Sequence, residues 1–260
     1  MFEKNSMKLS VYIVTLNEEK RLARTLKAAA KVADEIVVVD SGSTDSTVKI
    51  ADKYGAKVFF NKWESYCKQK SYAENKCSFD WVLMIDADEV LSPELIEEIL
   101  DWKRKTPEFQ AYNVKIRNMF AQDEKPRRFA QSFNVVRLYN RQFAHMPPDL
   151  HNKDRIKVEN GEPIGQMRGI IYHYCILSIE QAIAKYNLHS TELLNTAIAE
   201  DRKFSRLRLV TEFPRQFLRY YFFKRYFLLG SQGFSQSMIL AYFRFLKIAK
   251  WFEWKEGKKD

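Results

Sequence analysis

The sequence predicts an α/β fold, a mainly parallel (mixed) sheet flanked by helices, with a helical C-terminal extension. Three observations lead there. Short β-rich apolar runs alternate with helix-period segments through the first hundred or so positions. Three of those runs end in polar, acid-bearing loops, at Thr15–Glu18, Asp40–Asp45 and Asp86–Glu89. From Ser178 onward the apolar spacing becomes helical and stays so. Alternating strands and helices imply right-handed crossovers, which bring the carboxyl ends of the strands to one edge, where ligands bind in such sheets.

Each element has its own signal. Leu9–Val14 is a continuous apolar run, suited to a strand covered on both faces. Thr15–Glu18 breaks it, and Glu19–Val32 carries Leu22, Leu26, Ala29 and Ala30 at helical spacing. Glu35–Val39 is the second strand and ends at Asp40; Thr44 is the expected N-cap of a helix running to about Tyr54. Ala56–Phe60 is a third strand, Ser65–Lys76 a helix, and Trp81–Ile85 a fourth strand that runs out into Asp86, Asp88 and Glu89. Ser92 caps a helix over Pro93–Trp102, with proline at its first position. Ala111–Arg117, Asn134–Tyr139 and Ile170–Cys175 read as further strands. Ser178 caps a long helix, and Arg206–Leu229 and Ser235–Phe252 are two more, joined by Gly230–Gly233. The expected division is a nucleotide-binding catalytic domain over 1–176 and a basic, aromatic helical region over 177–260.

Composition narrows the functional classes. In 260 residues, 46% are apolar and 29% charged, ordinary for a globular chain. Lys and Arg exceed Asp and Glu by ten, which calls for an anionic partner: nucleic acid, a phosphorylated substrate or an anionic membrane surface. Cys67, Cys77 and Cys175 form no C-x-x-C or Cys/His cluster, so reduced thiols in the cytosol are expected. The first residues lack the apolar core of a signal peptide, and no apolar run approaches the roughly 20 residues that span a bilayer. Neither secretion nor membrane spanning is expected. No G-x-G-x-x-G follows the first strand and no P-loop motif occurs, which argues against dinucleotide dehydrogenases and P-loop NTPases.

Asp86 and Asp88 carry the chemistry. Side chains two apart on an extended chain point to one side, so both carboxylates can converge on one cation, and Ala87 keeps the approach open. A hard divalent ion held by one or two carboxylates retains sites for substrate phosphates.

The stretches Ser10–Glu19, Glu35–Asp45 and Trp81–Glu89, in this order and spacing, resemble the family 2 glycosyltransferases of the GT-A fold. The resemblance implies a UDP-sugar donor. It implies that Thr15, Asn17, Glu18 and Asp40 line the nucleoside pocket, Asp40 facing the base. It implies that Asp86 and Asp88 bind Mg2+ or Mn2+ under the diphosphate, with Gln69 and Lys70 near the donor and Lys70 able to neutralise the departing diphosphate. Plainer roles stand beside these: Asp45 as a helix cap, Glu19 as a solvated first-turn acid, and Lys68 as an exposed helix residue.

Residues 134–195 resemble the lipopolysaccharide-core β-glucosyltransferases of that family. There a Val-His-Glu stretch precedes a strand; here Leu150-His151 is followed by Asn152 and Lys153 before Asp154, so the match needs a two-residue insertion. Asp154 is the first candidate for the catalytic base and Asp149 the reserve, with a structural turn acid as the plain alternative. His173 is either a satisfied strand histidine or a third metal ligand. Lys125, Arg127 and Arg128 form either a solvated loop or a contact for a phosphorylated acceptor.

The tail interleaves aromatic and basic side chains from Arg215 to Phe227 and again from Tyr242 to Trp254. Such helices either pack on the catalytic domain, lie in the plane of an anionic membrane surface, or do both. No RNP, KH or OB signature accompanies them, so nucleic acid is not an expected partner. The expected activity is inverting, metal-dependent transfer of a hexose, glucose foremost, to a heptose-containing lipopolysaccharide core. The enzyme would sit in the cytoplasm, attached peripherally to the inner face of the cytoplasmic membrane. The alternatives are another glycolipid acceptor, such as a capsule or O-antigen lipid intermediate, and a catalytically silent membrane-surface protein of the same fold.

Overall fold

The computed structural model describes residues 6–121, 123–128, 130–148, 155–176 and 178–258. They fall into two compact units, one within Met1–Asn118 and Ser132–Cys175, the other within Met119–Gln131 and Ile176–Asp260.

In the first unit β1 (Leu9–Thr15), β2 (Glu35–Asp40), β3 (Lys57–Phe60) and β4 (Trp81–Asp86) lie parallel in the order β3-β2-β1-β4. The crossovers carry α1 (Leu22–Ala29), α2 (Thr47–Lys53) and α3 (Tyr66–Asn75). β5 (Glu89–Leu91) and α4 (Pro93–Trp102) follow, then β6 (Ala111–Phe120), β7 (Ser132–Asn140), β8 (Ala144–His145), β9 (Lys157–Val158) and β10 (Ile164–Ile176). The sheet has eight strands, β3-β2-β1-β4-β7-β6-β10-β5, with β7 antiparallel to β4 and β6, and β5 antiparallel to β10. β8 and β9 pair separately. This is the α/β fold that the sequence predicts, a mixed sheet whose β3-β2-β1-β4 half is parallel.

The strands form where apolar runs can be buried on both faces. β2 is buried throughout, and Leu9, Val11, Ile13, Leu83 and Ile85 join the core beneath α1 and α4. Tyr12, Val37, Val82 and Met84 face the second core with Ala73 of α3. Register then sets the site: Thr15 lies opposite Asp40, and Val14 opposite Asp86, so three strand ends finish at one level.

Several boundaries differ from expectation for identifiable reasons. α1 begins at Leu22 because the backbone N–H groups of Glu18 and Glu19 donate to Thr47 Oγ1 and Asp45 Oδ2 rather than entering a helix. Thr44 does not cap α2; its N–H goes to Asn17, and Asp45 takes the Thr47 N–H instead. β10 is longer than Ile170–Cys175, and β5, β8 and β9 were too short to announce themselves in the sequence.

The second unit holds α5 (Ile179–Ala199), α6 (Leu207–Leu218), a π-helical turn (Arg219–Phe223), a 3-10 turn (Tyr226–Leu229) and α7 (Gly230–Glu256). Gly230–Gly233 is not a joint but the first turn of α7. Gly230 has φ +65°, a conformation that favours glycine, and a Cβ on Gly233 would lie 1.9 Å from the Tyr226 carbonyl oxygen. Phe204, Ile248 and Trp251 pack with Leu194 and Ala197, while Tyr226, Leu229 and Leu240 pack with Phe120, Tyr186 and Tyr220. No helix among the described residues is long and apolar enough to cross a membrane.

Candidate functional site

Two parallel-strand loops are tied into one edge by their own polar groups. Asp40, the last residue of β2, accepts from Thr15 Oγ1 at 3.1 Å, from the N–H groups of Gly42 and Ser43 at 2.7 Å each, and from the Ser43 hydroxyl. The turn that permits this needs Gly42 at φ +102°. Asn17, at φ +55°, is the residue type that tolerates this region, and its side chain accepts the Thr44 N–H at 2.9 Å. Its own N–H reaches Ser43 Oγ at 2.8 Å. Thr15, Asn17 and Asp40 therefore build one wall together. Gln69, wholly buried on α3, braces it: its amide nitrogen donates to Ser41 Oγ and the Asn61 carbonyl at 2.8 Å, and its oxygen accepts from Asn61 at 2.6 Å.

The second wall is a charge network at the end of β4. Lys70 is buried on α3, and its ammonium lies 2.8 Å from Asp86 Oδ1. Arg137, buried on β7, approaches Asp86 Oδ2 at 3.4 Å and Glu89 Oε1 at 2.7 Å. Glu89 also accepts the Asp86 N–H at 3.0 Å. Its place is thereby settled as a buried brace between β4, β5 and β7. Burial pushes the Glu89 carboxyl upward. Burial opposes ionisation at Asp86 too, but Lys70 and Arg137 outweigh it and hold this carboxyl far below the ordinary carboxylate range.

Asp88 is fixed from two further directions. Arg21 makes a two-pronged pair with Glu18 at 2.6 Å per contact, and its remaining prong lies 3.5 Å from Asp88 Oδ2 and 3.2 Å from the Tyr174 carbonyl. His173 Nε2 lies 3.5 Å from the same Asp88 oxygen, and its Nδ1 faces Asn118 Oδ1 at 3.0 Å. Despite burial, Asp88 stays below the usual range because His173 and Arg21 favour its anion. Burial pulls His173 down, but the neighbouring Asp88 carboxylate outweighs it and raises the imidazole above its ordinary value.

Among the described residues, no group of three or more His, Cys, Asp or Glu forms a set that could hold a metal ion. The donor chemistry still fits a hard cation. Asp86 and Asp88 offer two ionised oxygen donors, and Asn118, facing Nδ1, fixes the His173 ring with its Nε2 beside Asp88. The remaining sequence candidates divide. Lys68 is an exposed partner of Glu64, as expected, and Asp45 and Glu19 both accept backbone N–H groups at the start of α2. Asp149 and Asp154 lie outside the described residues.

Residues 10–173 match the pattern described as Glycosyl transferase family 2. The chain belongs to that family. It is a glycosyltransferase. The matched span holds both walls, from the first loop to His173. An uncharacterized glycosyltransferase of Rickettsia typhi is 41% identical over 251 residues, covering 94% of this chain and 86% of that one. The lipopolysaccharide core biosynthesis glycosyltransferase LpsC of Rhizobium meliloti is 29% identical over 93% of this chain and 91% of its own length. Among solved structures, TarS of S. aureus is 20% identical, covers 73% of this chain and 66% of that one, and has a TM-score of 0.44.

Sequence reasoning did not find Arg137, Arg21 or Asn118 in this family 2 site. For Arg137 a signal existed: a lone cation within the apolar run Val135, Val136, Leu138, Tyr139 must meet a buried carboxylate.

Proposed function

We propose that this chain is an inverting, metal-dependent glycosyltransferase that moves a hexose, glucose foremost, from a UDP-sugar to a heptose-bearing lipopolysaccharide inner core. One observation carries the donor half of this reading: two ionised carboxylates, Asp86 and Asp88, stand at the sheet edge where Thr15, Asn17 and Asp40 form the neighbouring wall. The acceptor half is supported by the similarity to LpsC along most of both chains. An acceptor of that kind puts the enzyme in the cytoplasm, at the inner face of the membrane.

The protein's own residues divide the work. Asp40, kept rigid by four hydrogen bonds, shapes the loop against which the nucleoside rests. Lys70 and Arg137 keep Asp86 charged, and Arg21 couples the first loop, through Glu18, to Asp88. Asp86 and Asp88, the latter steadied by His173, would hold Mg2+ or Mn2+, which would supply a Lewis acid for the departing diphosphate. A base within hydrogen-bond reach of the acceptor hydroxyl completes the reaction, and Asp154, with Asp149 in reserve, is assigned to it.

The test is transfer of labelled glucose from UDP-glucose to a heptose-bearing core acceptor. Chelator, or Asp88→Ala, should lower the rate by about a hundredfold or more, the loss of several kcal/mol of charge stabilisation. Full activity under both conditions rules out the metal mechanism. Calorimetry with UDP and Mn2+ separates an active site from a silent one.

A further inference from the structure

Helix α6 turns a mixed face inward and leaves an apolar stripe outside. Its buried positions are Glu212 and Gln216, whereas Leu207 is 70% exposed and Val210 74%. Leu207, Val210, Pro214 and Leu218 follow one another at spacings of three and four, so they form a single outward stripe. The π-helical turn prolongs it with Phe222 and with Phe223, which is 82% exposed, and Phe227 and Leu228 stand exposed in the next turn. A helix of a water-soluble surface places these residue types the other way round.

The inward face carries a polar network of its own. Glu212 accepts from Arg208 at 2.8 Å, from Arg215 at 2.9 Å and from the Gln216 amide at 2.9 Å. Nothing in that arrangement requires the apolar stripe to face water, so its composition points to what covers it.

Charge identifies the cover. Between 206 and 229 the cations are Arg206, Arg208, Arg215, Arg219, Lys224 and Arg225, and the sole acid is Glu212, which is buried and already paired. Arg206, Arg219 and Lys224 are exposed beside the stripe. An apolar face with long cationic side chains around it suits acyl chains below and anionic headgroups at the boundary. Aliphatic Leu207, Val210 and Leu218 offer no stacking surface to nucleic acid bases. On α7, Phe243 and Trp251 lie in the interior, while Phe234, edge-on to Phe217 and Tyr221, is exposed.

We propose that the stripe Leu207–Val210–Leu218, continued by Phe222 and Phe223, is an in-plane docking surface for an anionic lipid bilayer. This extends the glycolipid-acceptor reading to a defined surface, yet binding to vesicles needs neither donor nor acceptor, so either idea can fail alone.

The full chain should sediment with vesicles of phosphatidylcholine and phosphatidylglycerol and much less with phosphatidylcholine alone. Added salt should weaken the binding without abolishing it. Val210→Ser with Phe223→Ser should weaken it by at least about tenfold, the scale of losing one buried apolar side chain. Both side chains are exposed, so the midpoint of thermal unfolding and the affinity for UDP should stay unchanged. Arg219→Gln with Lys224→Gln should remove the preference for the anionic lipid. Equal binding by the Val210/Phe223 variant, or no binding by the parent chain, overturns the proposal. So does a dimer in vesicle-free sedimentation velocity that Val210→Ser dissociates, since the stripe would then meet a second copy.

Discussion

A lysine shut away from water must share its charge with a carboxylate, and Lys70 shares it with Asp86. The resemblance had brought Lys70 near the donor as a partner for the leaving diphosphate. In the structure its ammonium lies against Asp86 Oδ1, so the proposed role for Lys70 becomes that of holding Asp86 charged. The two side chains should therefore be coupled. Lys70→Met should cost about 3 kcal/mol in urea unfolding, because a buried anion loses a partner. With Asp86→Asn already in place, the same change should cost less by about 1–3 kcal/mol. Additive losses in this double-mutant cycle would show that the pair does not interact. The residues of the two walls were legible because they sit on short segments beside strand ends. For Arg137 the sequence signals a buried cation but not its partners, because it does not announce that β7 inserts antiparallel beside β4.

At the scale of elements, the polar groups that end strands and helices do the positioning, and they work at both edges of the sheet. Ser65, Ser92 and Ser178 cap α3, α4 and α5 with their side-chain oxygens; the sequence announces Ser92 and Ser178 as caps, whereas Ser65 reads only as the start of its helix. At the edge away from the site, Glu35 accepts from Ser10, from the Ser78 backbone and hydroxyl, and from Lys57. Burial alone would raise its carboxyl, but Lys57, Ser10 and Ser78 prevail and bring it down from 4.5 to about 2. A carboxyl depressed in the folded state stabilises above its unfolded value and loses that contribution as pH falls through the folded one. Glu35→Gln should thus cost about 2 kcal/mol at neutral pH, and the gap should close as pH falls from 4.5 toward 2. Urea titrations across that range measure it, and a gap independent of pH would contradict the assignment. Packing fixes another element as tightly. A Cβ on Gly169 of β10 would lie 2.4 Å from Leu95 Cα in the first turn of α4, so Gly169→Ala should cost about 1–3 kcal/mol or more in the same assay. Only three-dimensional contact shows that requirement, since Gly169 carries no turn signal.

For the whole molecule, the order along the chain is not the order in space. The shift in composition near Ser178 is visible in the sequence, whereas the short excursion 119–131 between β6 and β7 carries no such mark. It nonetheless belongs to the helical unit. Phe120 packs with Tyr226, Leu229 and Leu240; Arg127 pairs with Asp123 and donates to the Leu229 carbonyl at 3.1 Å; and the Tyr226 hydroxyl reaches Gln131 at 3.2 Å. A chain ended after Ile176 keeps the strands and both site walls but strips this excursion of its core. Such a fragment should bind a hydrophobic dye and associate in size-exclusion chromatography, as exposed apolar surface dictates. Replacing 119–131 by a short glycine-containing turn should cure the association, because Arg117 and Ser132 already pair across β6 and β7 and a tight turn can close that hairpin. Asn118 is retained in that design, since His173 leans on it. If the uncorrected fragment runs as a monomer without binding dye, the excursion does not depend on the helices for its cover. If the shortened fragment still associates, the exposed surface lies elsewhere.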